Sequence, residues 1–392
     1  MVEFDHVMKS ANTRTCDIAI IGAGVFGSWT AHHLRLAGKS VVLIDGFGAA
    51  SSRASSGGES RVIRCGYGAD EIYSRFAQKS LGQWKDLGHR VGSELFHRTG
   101  VLWLARQSDG RIQATADVLA RLSIPHEKLN RAELEKRFPQ FFFGDVDWGV
   151  YEPDSGALMA RRSVQMLVHE MVECGMDLVT DPVVPPSTKS RMESVQTAGG
   201  QTISAGAFVF ACGPWLPKIF PDELGRRIFP TRQEIFFFGV PAGERRFAIP
   251  AMPCWLDAGD LYGIPDLENR GLKIGCDVHG PAIDPDSADR LIPEESLAAM
   301  RKRLGERFPA MKGAPLLESR VCQYENSSNG DFLLDKHPSI DGVWLAGGGS
   351  GHGFKHGLAV GEYLVGRILD TQAAEPRFSF AGKGTAQERS VY

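Results

Sequence analysis

Residues 16–27 read Cys16-Asp17-Ile18-Ala19-Ile20-Ile21-Gly22-Ala23-Gly24-Val25-Phe26-Gly27. The apolar, β-branched run up to Ile21 predicts a short buried strand. Gly-x-Gly-x-x-Gly follows at once. Ser28 to Leu36 then predicts a helix, closed by Gly38 as its C-terminal cap. Ser40 to Ile44 predicts a second strand, with Asp45 at its end. Each glycine has a physical task in such a unit. Gly22 permits the tight turn, Gly24 lets backbone approach a pyrophosphate, and Gly27 allows close packing of helix on strand. The helix N-terminus offers unpaired N–H groups to phosphate oxygens. Asp45, about twenty residues on, is placed to accept hydrogen bonds from ribose hydroxyls. The stretch predicts dinucleotide binding, and an acid at this point disfavours a 2′-phosphate.

Two further glycine clusters extend this reading. Ser51 to Arg64 reads Ser51-Ser52-Arg53-Ala54-Ser55-Ser56-Gly57-Gly58-Glu59-Ser60-Arg61-Val62-Ile63-Arg64. This long polar loop replaces the helix–strand alternation expected of a nicotinamide domain. It suits backbone passing beneath a large planar cofactor, although a solvated surface loop has the same composition. Near the other end, the strand Gly342 to Ala346 runs into Gly347-Gly348-Gly349-Ser350-Gly351-His352-Gly353, followed by a helix from about Leu358 to Leu369. A chain that returns to a strand, glycine turn and helix suggests one nucleotide domain built from both termini. A second helix N-terminus there would stabilise negative charge on a flavin's pyrimidine ring.

Between these clusters, Ala207 to Ala211 is an apolar strand leading to Gly213-Pro214-Trp215, with a helix over Ser163 to Cys174 and a strand over Asp177 to Thr180 before it. Regions 90–150 and 223–315 carry amphipathic helices (Asp117 to Leu122, Arg131 to Arg137, Glu294 to Phe308) and alternating strands (Glu234 to Gly239, Gly271 to Cys276). The chain of 392 residues has 44 Lys plus Arg against 47 Asp plus Glu, a net charge of −3, which argues against nucleic acid or an anionic membrane as partner. Its seven cysteines are scattered and form no C-x-x-C, so neither a zinc ribbon nor a disulfide framework is expected. Met1 to Thr15 lack an apolar signal-peptide core, the last residues are not Ser-Lys-Leu, and no apolar run is long enough to span a bilayer. The reading is a cytoplasmic protein.

The string Gly57-Gly58-Glu59-Ser60-Arg61-Val62-Ile63-Arg64, together with Cys322-Gln323-Tyr324 and Gly351-His352-Gly353-Phe354-Lys355, resembles the monomeric sarcosine oxidase and N-methyltryptophan oxidase family of D-amino-acid-oxidase-like FAD enzymes. The likeness runs in order from Ile18 to about Leu369. It implies an α/β (α+β) fold. A Rossmann-like FAD-binding domain would be assembled from segments 1–90, 150–222 and 316–392, with a mixed-sheet substrate domain from 91–149 and 223–315. It implies FAD held by Gly22, Gly24, Val25, Phe26, Gly27, Asp45, Ser52, Ser60, Arg61, Gly349, Gly351, Gly353, Phe354 and Lys355.

The resemblance further implies a thioether from Cys322 to the flavin. Such a bond needs a thiolate, and so a cationic neighbour. Arg64 and Lys355 match the family's pair for the substrate carboxylate, a task suited to a forked guanidinium plus a point charge. Tyr324 is grouped with them as a substrate contact. Lys273 matches the lysine that activates oxygen, and Tyr262 a tyrosine near substrate. As a mid-strand residue Lys273 should face away from Leu272 and Ile274. A solvent-facing lysine is the competing reading. Where the family commonly has His, this chain has Asp277, with His279 two residues on. An acid there predicts a preference unlike that for sarcosine, towards a larger or more basic amine. The implied activity is FAD-dependent oxidation of a secondary amino acid, N-methyl or cyclic, to an imine, with O₂ reduced to H₂O₂ by a monomer without membrane or nucleic-acid partners. The readings set against it are a flavin dehydrogenase using another acceptor, an NAD-dependent dehydrogenase and a non-catalytic flavin-binding subunit.

Overall fold

A computed structural model describes residues 13–257 and 260–388, so the expectations placed on the chain termini fall largely outside the described residues. The first glycine motif sits at the centre of a seven-stranded sheet. Its order is Leu333–Lys336, Val343–Gly347, Thr202–Phe210, Thr13–Ile21, Val41–Ile44 and Asp177–Val179, with Ser194–Gln196 added to Thr202–Phe210. The four pairings among Val343–Gly347, Thr202–Phe210, Thr13–Ile21, Val41–Ile44 and Asp177–Val179 are parallel. Ile18 to Ile21 and Val41 to Ile44 are all buried, as strands covered on both faces require.

The helix Val25–Leu36 starts three residues before the predicted Ser28. Gly24, in extended backbone, is its N-cap, so the helix opens directly out of the glycine turn. Gly38 follows the C-cap with φ +75°, the left-handed backbone that glycine adopts without cost. The helix Gly357–Ile368 packs beside it so closely that a Cβ on Gly361 would meet the Trp29 backbone. Glu71–Arg90, absent from the sequence expectations, buries Tyr73, Ala77, Leu81, Trp84 and Leu87 on one face. Trp84 of this helix meets Trp29 edge-on at 5.2 Å and stacks on Phe354 at 5.5 Å.

A second, mixed sheet has eight strands, in the order Leu316–Ser327, Ile228–Phe238, Leu272–Cys276, Leu261–Ile264, Cys254–Asp257, Val101–Ala105, Trp148–Glu152 and Glu127–Asn130. Its own core gathers Phe138, Phe141, Phe143, Trp255 and Phe308 beside the helix Glu294–Arg307. The long strand Leu316–Ser327 pairs with Ile228–Phe238 over most of its length, while the two strands that follow it in sequence join the first sheet. A small sheet of Arg61–Ile63, Gly156–Leu158 and Phe96–His97 lies apart from both. Among the described residues no helix is long and apolar enough to cross a membrane, and no His/Cys/Asp/Glu group could hold a metal ion.

Candidate active site

A long cleft opens over the carboxyl ends of the parallel strands, where ligands of such sheets bind. Gly22, Gly24, Val25, Phe26, Asp45, Arg61, Tyr324, Gly349, Gly351, Gly353 and Phe354 line it. Backbone crowding explains the glycines. Gly22 has φ +110°, and a Cβ there would fall on the Ala211 carbonyl. A Cβ on Gly27 would fall on the Gly22 carbonyl, so Gly27 serves packing and does not itself line the cleft. A Cβ on Gly353 would press on Gly349 and the Phe26 ring. Asp45 already accepts hydrogen bonds from the Ala23 and Phe47 N–H groups, both at 2.8 Å, and keeps lone pairs for a diol. Ser56 Oγ accepts from Val25 N–H at 3.0 Å, which ties the second motif to the first. Ser51, Ser55 and Ser56 line the cleft, whereas Ser52 is exposed and does not.

The cleft also holds an acid that the sequence reading missed. Glu325 is buried, with Oε1 unpartnered among the described residues. Burial pushes its carboxyl up to about 8, opposed by the Gly348 and Gly349 backbone. Burial thus favours its neutral form, which suits a site for an anionic cofactor. No acidic side chain stands in the first turn of Val25–Leu36 or of Gly357–Ile368. Glycine turns, two acid-free helix starts, a diol acceptor and a neutral buried acid together fit an extended dinucleotide.

Beyond Arg61 the cleft meets a cluster of cations and sulfur. Arg61 donates to the carbonyls of Ser60 and Ser55, both at 2.8 Å, and to Cys322 Sγ at 3.5 Å. The Cys322 thiol thus has a cationic neighbour, supplied from 261 residues away. Lys273 donates to the Ser60 carbonyl at 2.6 Å and lies 3.5 Å from Ser60 Oγ. At 1% exposure it is not the solvent-facing lysine of the competing reading. Leu272 and Ile274 face the opposite core, as alternation predicted. Burial, then Arg61, holds the Lys273 amine well below its ordinary value.

A second cationic pair lies alongside. Arg64 and Lys355 are both buried. Arg64 donates to the Gly66 carbonyl, and its guanidinium stacks on Tyr67 at 4.2 Å and Trp103 at 4.6 Å. Lys355 donates to Tyr67 Oη at 2.7 Å and the His352 carbonyl at 2.9 Å. Burial, then Arg64, holds its amine well below the ordinary value, with Asp277 opposing. Asp277 accepts from Tyr324 Oη at 3.1 Å. Burial pushes its carboxyl up, against the charges of Arg64, Lys355 and Arg111. The acid therefore faces a group of cations, which bears on its expected attraction for a substrate amine. Tyr262 lies across Gly275, where a Cβ would strike its ring, and burial followed by Asp277 pushes its hydroxyl up. His279 stands 6.3 Å from Tyr324, ring to ring.

Two more residues went unread in the sequence. Glu152, 1% exposed, accepts from Cys65 N at 2.7 Å, Gly66 N at 3.0 Å, Trp103 Nε1 at 2.8 Å and Ser155 Oγ at 2.7 Å. It fixes the backbone next to Arg64. Tyr67 sits between Arg64 and Lys355. Neither has a local signal, because the partners come from distant segments.

The family model for FAD dependent oxidoreductase matches residues 17–367. Peroxisomal sarcosine oxidase from Mus musculus is 28% identical, over 91% of this chain and 92% of the relative. Monomeric sarcosine oxidase from Bacillus sp. (strain NS-129) is 30% identical, over 89% of this chain and 92% of the relative. N-methyl-L-tryptophan oxidase from Yersinia pestis (strain Pestoides F) is 28% identical, over 88% and 93%. Among solved structures, L-proline dehydrogenase from P. horikoshii shares the fold, with TM-score 0.82 and 20% identity over 94% of this chain and 97% of that one.

Proposed function

The chain belongs to the FAD dependent oxidoreductase family, and on that premise we propose that it oxidises the C–N bond of a secondary amino acid, N-methyl or cyclic, to an imine and reduces O₂ to H₂O₂. The observation that carries this reading is the pairing of two basic groups: buried Arg64 with buried Lys355, and half-buried Arg61 with buried Lys273 beside Cys322. One pair suits a carboxylate and the other suits electrons arriving at oxygen.

FAD, when bound, supplies two-electron acceptance from the amine and return of those electrons to O₂. The cleft glycines, Asp45 and the two helix starts would hold it. Arg64 and Lys355 take the substrate carboxylate, the fork giving direction and the amine giving charge. Tyr324 holds Asp277 in place, and Tyr262 stands near the same acid. Lys273 Nζ holds the proton that balances negative charge developing beside Ser60, where a fixed cation lowers the barrier to oxygen reduction. The released imine hydrolyses in water to an amine and a carbonyl compound, or remains cyclic if the substrate is a ring. We assign no general base.

The covalent link through Cys322 is part of this proposal. In the purified protein, acid precipitation should carry the yellow colour into the pellet. Cys322→Ser should release it to the supernatant, and colour in the wild-type supernatant would remove the link. Asp277 is proposed to set substrate preference by balancing the charge on Arg64 and Lys355. Asp277→His should raise kcat/KM for sarcosine relative to larger or more basic amines by about two- to fivefold, roughly the 0.5–1 kcal/mol of one partly solvated charge contact. Unchanged ratios across the amine panel would end that assignment.

The same proposal takes the chain as a cytoplasmic monomer with the two-part division given above. The seven free cysteines suit a reducing compartment, and the name of the Bacillus relative supports the monomer. The seven strands of the first sheet all come from segments 1–90, 150–222 and 316–392, while the strand Leu316–Ser327 crosses to the second sheet.

A further inference from the structure

Behind the Arg64–Lys355 pair lies a buried polar group that the mechanism does not use. Tyr67 is 2% exposed and His356 fully buried. The Tyr67 ring lies under the Arg64 guanidinium at 4.2 Å, which gains from the ring's negative face, while the Lys355 amine stands beyond the hydroxyl end, 5.2 Å from the ring centre. The ring is itself packed against Tyr73 at 5.3 Å and His356 at 5.3 Å, which limits its tilt.

The hydroxyl completes the arrangement. Lys355 Nζ donates to the Tyr67 oxygen at 2.7 Å. The Tyr67 hydrogen then goes to His356 Nε2, also at 2.7 Å, in preference to His352 Nδ1 at 3.4 Å. Nε2 as acceptor puts the imidazole hydrogen on Nδ1, the atom with no partner among the described residues. A buried, unpartnered imidazole nitrogen costs stability. The other nitrogen fixes the direction of the Tyr67 hydroxyl, and through it the Lys355 amine.

We propose that Tyr67, oriented by His356, is the positioning residue of the carboxylate clamp, holding Arg64 and Lys355 at one separation so that both meet the same carboxylate. The inference rests on the reading of Arg64 and Lys355 as that clamp. Neither Tyr67 nor His356 need touch substrate.

The test uses the FAD-loaded enzyme and two flat, non-oxidisable probes, pyrrole-2-carboxylate and pyrrole-2-carboxamide. Their binding is read from perturbation of the flavin absorbance. The wild type should prefer the carboxylate. Tyr67→Phe keeps the ring and removes the hydroxyl. It should cut the preference about tenfold, the effect of one hydrogen bond to a charged group, with the carboxamide Kd unchanged. Tyr67→Leu also removes the ring and should cut it about a hundredfold. His356→Gln frees the hydroxyl and should cut it about threefold, which tests the same chain should Tyr67→Phe fail to load FAD. An unchanged preference overturns the proposal. So does an equal loss for both probes, which would mean a structural role only. If the wild type itself shows no carboxylate preference, the clamp reading fails first, and the proposal falls with it.

Discussion

In a Lys273→Met variant the oxygen-dependent half of turnover is expected to slow by about 10²–10³-fold, the usual effect of removing one preorganised charge from a developing anion. The amine-dependent half should change by no more than a few-fold. The asymmetry follows from placement. Lys273 bonds to Ser60, next to Arg61 and Cys322, and among the described residues makes no hydrogen bond to the Arg64–Lys355 group. Methionine keeps the length and apolar stem of lysine, so the strand Leu272–Cys276 and its core contacts at Leu272 and Ile274 should persist. Stopped-flow mixing of pre-reduced enzyme with O₂ measures one half, and anaerobic mixing with substrate the other. Equal slowing of both would mean that Lys273 serves binding or structure. No slowing of the oxygen half would favour a dehydrogenase that hands electrons to another acceptor.

The second large effect is at Arg64. Arg64→Met should lower kcat/KM for the amino acid by about 10²–10³-fold, because truncating one partner of a buried charge contact costs about 2–5 kcal/mol. Most of the loss should appear in KM, since the carboxylate is held alike in ground and transition states. Arg64→Lys should recover little, because an ammonium cannot reproduce the forked contact or the stacking on Tyr67 and Trp103. The same substrate as its amide separates the causes: it should lose far less than the acid. Equal loss for acid and amide would assign Arg64 to packing between Tyr67 and Trp103 and to nothing further.

Much of this arrangement was legible in the residues, for identifiable reasons. The central strands announce themselves because both faces are covered, so Ile18 to Ile21 and Val41 to Ile44 are unbroken apolar runs. The glycines could be read because their roles are backbone roles, set by local turns. Lys273 could be assigned a face from the alternation of its strand. Its partner could not be read, since Ser60 lies 213 residues away. The loop Ser51 to Arg64 turned out to be partly structured, with a helical turn at Ser55–Gly57 and the strand Arg61–Ile63. Serine and glycine hide such order because it is stabilised by distant partners. Glu71–Arg90 was missed although Tyr73, Ala77, Leu81, Trp84 and Leu87 recur near helical spacing. Its small and polar residues dilute that stripe. Tyr67, Glu152 and Glu325 carry no local pattern at all. Each is defined by what the fold places against it, Lys355 from 288 residues on in the case of Tyr67.

The central claim is that a secondary amino acid gives its electrons to FAD in this cleft and that O₂ receives them. The most direct test is an anaerobic titration of the purified yellow protein with sarcosine, N-methyl-L-tryptophan and L-proline, followed by admission of air. The account predicts that at least one of these bleaches the flavin absorbance, and that air restores it with one H₂O₂ formed per flavin. Flavin that none of these amino acids can bleach, or bleached flavin that air restores without peroxide, would contradict it.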